Sequence, residues 1–146
     1  MPDALDVIPL APLPPAEIQT FADAPARERL SLVAVKAFKT LCGQWRLTGA
    51  EAAALLGVSE STWDRMKRKP AAQALSQDQL TRVSAVVGVY KGLKLLFADD
   101  MALRWPKLPN SFPIFQRASP VAAMITGGIP LMLETRRYVD ALRGGL

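Results

Sequence analysis

At 146 residues, half of them apolar, the chain is long enough for one domain or for two small helical modules sharing a core. With a single cysteine and no histidine, it excludes an internal disulfide and a histidine-based catalytic or metal centre, and leaves acid–base work to scattered carboxylates. A net charge of +5 and an isoelectric point near 9.7 favour an anionic partner, with the location of the charge deciding its meaning.

No apolar run approaches the ~20 residues that span a bilayer. Asp3 and Asp6 stand where an export signal needs positive charge, so a cytoplasmic protein without membrane association is expected. Neither a phosphate-cradling glycine loop nor a metal-ligand spacing is present in the sequence, and no enzyme activity, cofactor or metal is expected. Cys42, between Leu41 and Gly43, reads as a small buried hydrophobe.

Residues 1–22 carry Pro2, Pro9, Pro12, Pro14 and Pro15, which block a continuous helix and predict an extended arm or tail. Asp23 before Pro25 reads as an N-cap. From there Leu30, Val33, Ala34, Ala37, Phe38 and Leu41 recur as the stripe of an amphipathic helix, with Gly43 as its stop. Thr48 and Glu51 form a capping box for a short helix to Leu56. Gly57 then supplies a tight turn, and Ser59 caps a second short helix through Trp63 and Met66 towards Lys69 and Pro70.

A second capping box, Ser76 with Gln79, opens a long helix bearing Leu80, Val83, Val86, Val87, Tyr90, Leu93, Leu96 and Phe97. Asp99 and Asp100 read as a cap for a short stretch to Trp105, followed by a proline-punctuated loop in which Trp105, Pro109 and Asn110 are architectural. Ser119 and Pro120 start another helix, which Gly127 and Gly128 break before Pro130 starts the last one. The fold class expected is all-α, with about seven short or medium helices.

A helix-turn-helix needs a small residue beneath its second helix, a glycine at the turn and apolar residues that lock the pair. Ala53, Gly57, Val58, Trp63 and Met66 fall at those spacings. The segment Leu47 to Arg68 resembles the helix-turn-helix of small phage repressors and the Xre class. Ser59, Ser61, Thr62, Arg65, Lys67, Arg68 and Lys69 are the candidate DNA-binding residues, with hydroxyls and an arginine for base edges and the basic end for phosphates. Glu60 and Asp64 oppose this, and point to weak single-site binding that depends on a dimer. The alternatives are a structural helical hairpin, and a solvated helix end with cations facing the dipole.

From about Leu80 to Leu146 the chain resembles the toxin-binding domain of Xre/MbcA/ParS-type antitoxins. The resemblance rests on the Trp105-Pro106 segment, Pro109-Asn110, Phe115 before Ser119-Pro120, the Gly127-Gly128 break, Arg136-Arg137-Tyr138 and the terminal Arg143-Gly144-Gly145. Gln116-Arg117-Ala118 departs from the family, which often has glycine there. The resemblance implies an antitoxin of a type II system, encoded beside a RES-domain toxin that consumes NAD and is neutralised by occlusion. The implied toxin-binding residues are Arg137, Tyr138, Ala141, Leu142, Arg143, Gly144, Gly145 and Leu146.

The division expected is a Pro-rich arm over 1–22, a helix-turn-helix module over 23–78, and a toxin-binding and oligomerisation domain over 79–146. Operator DNA, the cognate toxin, a homodimer and a toxin–antitoxin hetero-oligomer are the partners. The alternative is a standalone transcriptional regulator whose C-terminal domain senses a ligand or dimerises. For the C-terminal residues it is that Tyr138 and Val139 face the chain's own core, with Arg136, Arg137 and Arg143 as cations of the last helical turns.

Overall fold

The computed structural model describes residues 21–70 and 74–144. The proline arm, apart from Phe21 and Ala22, lies outside them, as do Gly145 and Leu146. All regular structure among the described residues is helical. In chain order it comprises α1 (Ala24–Gln44), α2 (Gly49–Leu56), α3 (Glu60–Arg68), α4 (Gln77–Leu96), α5 (Met101–Arg104) and α6 (Pro120–Arg143). Single 3-10 turns at Trp105–Lys107 and Pro113–Phe115 join α5 to α6.

The expected caps are in place. Asp23 Oδ2 accepts from the Ala26 N–H at 3.2 Å, and both Thr48 with Glu51 and Ser76 with Gln79 close reciprocal capping boxes. Asp99 Oδ1 accepts from the Met101 N–H, and Ser119 Oγ from the Ala122 N–H. Together they satisfy amides that helix starts leave open. Gly57, at φ 80°, ends α2. The Val58 N–H returns to the Ala53 carbonyl and the Gly57 N–H to that of Ala54, the paired bonds of a Schellman turn.

The end of α1 corrects the sequence expectation. Gly43 is helical, and the chain stops at the same kind of Schellman turn centred three residues later: Leu47 N–H to Cys42 carbonyl at 2.9 Å and Arg46 N–H to Gly43 carbonyl at 3.2 Å. The left-handed residue is Arg46, at φ 55°, a conformation that favours glycine. The α1 stripe is also rotated from expectation. Val33 is 66% exposed, and Ser31, Val35, Phe38, Leu41 and Cys42 face inward.

One hydrophobic cluster joins α1, α2, α3, α4 and α6. Phe38 and Trp63 meet edge to face at 5.2 Å, seating α3 on α1. The buried Ser31 accepts from the Leu75 N–H at 2.7 Å, which ties the approach to α4 onto α1. The long helix α4 packs mainly on α6 and α1. Where α4 meets α6, Gly88 lies under the Arg136 guanidinium and Gly92 under Val139, so small residues let two helices come close. Burial pushes the Cys42 thiol up to about 12 against the lowering influence of Lys67, in keeping with a packed, inert side chain.

α6 is broken where expected: Gly128 has φ 68° and ψ −154° inside it. Ahead of α6, Gln116 and Arg117 both hold positive φ, 48° and 68°. The Gln116-Arg117-Ala118 segment is thus a left-handed turn, built from residues that favour that conformation less than glycine does.

Candidate DNA-binding face and docking cleft

Helix α3 lies on the core through Trp63 and Met66, which are buried. At 100° per residue, Ser61, Arg65 and Arg68, spaced i, i+4, i+7, occupy the opposite side. All three are exposed, and Arg65 has no side-chain partner among the described residues. Glu60 and Asp64 flank this face.

The remaining candidates on α3 are more committed to structure. Ser59 Oγ accepts from the Thr62 N–H at 3.2 Å and donates to Thr62 Oγ1 at 2.9 Å, with Ser61 Oγ 3.2 Å away. Ser59 is thus the N-cap, with the Thr62 and Ser61 hydroxyls beside it. Half-buried Lys67 pairs with Asp64 at 3.2 Å and lies 6.0 Å from the centre of the Trp63 ring. Arg68 Nε donates to the Asp64 carbonyl at 3.3 Å, and the exposed Lys69 ends the helix.

Arg82 of α4 secures the turn. Its guanidinium lies over Gly57, Nε standing 3.1 Å from where a Cβ would be, and donates to the Leu55 carbonyl at 3.2 Å. A cation thus covers the carbonyl end of α2. The sequence offers little sign of this role, because Arg82 lies 27 residues from its acceptor.

The second site lies on the last turns of α6. Arg137, Tyr138, Ala141 and Leu142 line a cleft of about 440 Å³ with Phe112, Ile114 and Glu134. Tyr138 is stacked on Phe112 at 4.2 Å and meets Phe115 edge to face at 5.7 Å, with Trp105 beside it at 6.4 Å. Trp105 is therefore the architectural anchor expected. Asn110 Oδ1 accepts from the Phe112 N–H at 2.9 Å, which holds the aromatic loop against α6.

Phe112 and Leu142 remain 41% and 37% exposed, so the cleft presents an apolar wall to the surroundings. Its rim is ionic: Arg137 pairs with Glu134 at 2.6 Å. Nearly two turns on, Arg143 pairs with Asp140 at 3.3 Å, and Gly144 ends the helix.

The geometry separates residues that sequence left equivalent. Val139 is fully buried and belongs to the core. Tyr138 is half-buried, serving both the cluster and the cleft. Arg136 crosses Gly88 and donates to the Ser84 carbonyl at 3.3 Å, while Arg137 and Arg143 are exposed. Phe112 and Ile114 were missed as cleft residues. Their signal was two large apolar side chains around Pro113 in a loop where polar residues are usual.

The family described as the antitoxin Xre-like helix-turn-helix domain matches residues 23–88. Over 113 residues the chain is 34% identical to the uncharacterized protein y4oB of Sinorhizobium fredii (strain NBRC 101917 / NGR234), an alignment spanning 76% of this chain and 84% of that protein. The chain is an all-helical member of the same family as y4oB, and carries over residues 23–88 the helix-turn-helix domain of Xre-like antitoxins.

Proposed function

We propose that the chain is the antitoxin of a type II toxin–antitoxin system, acting on two partners through two faces. Residues 23–78 bind operator DNA through Ser61, Arg65 and Arg68 of α3, with Ser59, Thr62, Lys67 and Lys69 shaping the helix ends, and repress the chain's own operon as a homodimer. Residues 79–146 dock on a RES-domain toxin and close its NAD site. The family match over 23–88 supports the first role.

The single observation that carries the second is the convergence of Arg137, Tyr138, Ala141 and Leu142 on one cleft with exposed Phe112. An aromatic floor with an apolar wall and an ionic rim has the composition of a protein–protein anchor site. Arg143 and Gly144 continue from its edge, and together with Gly145 and Leu146, which lie outside the described residues, they are the residues proposed to enter the toxin.

Co-expression with the product of the adjacent gene tests the second role, with growth and cellular NAD as readouts. Wild type is expected to restore both, and Leu142→Asp to restore neither while remaining folded. A chain ending at Leu142 that binds toxin without rescue identifies the tail as the plug. If it rescues fully, inhibition lies in the cleft contact instead. If wild type itself neither binds nor rescues, the toxin reading fails and a standalone regulator stands in its place.

A further inference from the structure

Where α1 gives way to α2, Gln44, Trp45 and Arg46 face Asp100, Leu103, Arg104, Lys107 and Leu108 across a second cleft, of about 460 Å³. Three features of it have no role in either proposed face. Trp45 is 2% exposed, and its Nε1 is the buried side-chain donor left without an acceptor among the described residues. Arg46 keeps a left-handed backbone that glycine would adopt more easily. Arg104 reaches the Asp100 carboxylate only at 4.0 Å.

The cations are not equivalent. Lys107 is bound to Glu51 at 2.6 Å, so it fixes the wall and its charge is offset. Arg46 and Arg104 remain as planar, multi-donor groups suited to an oxyanion. Arg46, in a left-handed turn that glycine would adopt more easily, sets its side chain in the lining of the cleft.

We propose that this cleft binds a phosphate group, held by Arg46 and Arg104 beside Trp45. The Lys107–Glu51 pair places it against the first turn of α2. In a helix-turn-helix the first helix crosses the nucleic-acid backbone, so a phosphate of bound duplex DNA is the nearest source, an assignment that rests on the DNA-binding reading. A free phosphate is the other source of the same chemistry. The segment after α4 thereby contributes to DNA contact as well as to the toxin face.

The test uses the full chain, an Arg46→Gly/Arg104→Gln variant, and Lys91→Gln/Lys94→Gln as a control for reduced charge. Binding to a duplex of about 30 base pairs is measured against salt, and the Trp45 indole N–H signal, assigned with Trp45→Phe, is followed by NMR during titration with inorganic phosphate. The first variant is expected to bind duplex about tenfold more weakly, with the salt slope reduced by about one, for the one backbone phosphate that the two arginines share, while the control keeps the wild-type slope.

An unchanged slope in the Arg46→Gly/Arg104→Gln variant, or an equal fall in the control, overturns the site and leaves DNA binding by α3 intact. If wild type does not bind duplex, the DNA reading fails and the titration decides alone. A Trp45 indole shift that disappears in the variant then keeps the cleft as a free-phosphate site, and no shift overturns it.

Discussion

Val139 stands over Gly92 so closely that a Cβ on Gly92 would lie 2.6 Å from its Cγ1. Val139 is fully buried and β-branched, and a stiff side chain in a packed core has nowhere to move. Gly92→Ala is therefore expected to destabilise the chain by about 1–2 kcal/mol, overpacking outweighing the roughly 1 kcal/mol gained in helix propensity. Gly88→Ala presses instead on Arg136, at 2.5 Å from Nε, the far end of a flexible side chain. It loses the bond to the Ser84 carbonyl but gains propensity, and is expected to stay within about 1 kcal/mol of wild type. Urea denaturation of both variants checks the contrast, and equal losses would refute it.

Arg46 carries the opposite expectation. Its φ of 55° costs about 1 kcal/mol in a residue with a Cβ, and the Schellman bonds from Arg46 and Leu47 are made by backbone atoms. Arg46→Gly keeps those bonds and is expected to stabilise the fold by up to about 1 kcal/mol, a rise in Tm of about 3 °C. A lower Tm would mean that the guanidinium has a stabilising partner in solution.

The contrast between Gly57 and Arg46 shows what sequence could convey. Caps are local, so Asp23, Thr48, Ser59, Ser76 and Ser119 announced their helices, and Gly57 and Gly128 announced a turn and a break. The end of α1 was hidden because a left-handed residue need not be glycine when its flanking hydrogen bonds hold. The phase of α1 was hidden too, since Leu32 through Val35 are four apolar residues in succession, and periodicity cannot select among them. Arg136 and Arg137 are neighbours in sequence with different fates, set by Gly88 on another helix. Phe112 meets Tyr138 only because the aromatic loop folds back on the far end of α6, a pairing that no local pattern encodes.

Cys42 offers a chemical check on the core. Its thiol is buried and pushed up to about 12, so thiolate is scarce at pH 8 and access is closed. Alkylation at pH 8 is expected to proceed only through opening of the fold, and to become fast in denaturant. Rapid labelling of the native chain would show that the α1–α3 contact opens readily.

Glu51 links stability to pH. Burial raises its carboxyl, but the hydrogen bonds from Lys107 and the Thr48 N–H prevail and leave it below the usual carboxylate range. A depressed folded-state value contributes stability above the unfolded value, about 4.3, and that contribution is lost as pH falls through the folded value. Lys107→Met is expected to destabilise by less than about 1 kcal/mol at pH 7, because the pair is partly exposed. The difference from wild type is expected to shrink as pH drops below about 4.3. Thermal unfolding across pH 3–7 measures it, and a difference that grows on acidification would refute the assignment.

The face of α3 gives the sharpest test of DNA contact. Arg65 is exposed and opposite buried Trp63 and Met66, whereas Lys67 is held by Asp64 and lies over the Trp63 ring. If α3 enters a major groove, Arg65→Ala is expected to cost about 1–3 kcal/mol in operator binding and to relax base preference at one position. Lys67→Ala, removing a cation already paired, is expected to cost less and to act evenly across sequences. Anisotropy titrations against a set of single-base operator variants separate the two patterns. Equal, sequence-independent losses from both would place only phosphate contacts on α3, and would move base recognition elsewhere in the chain.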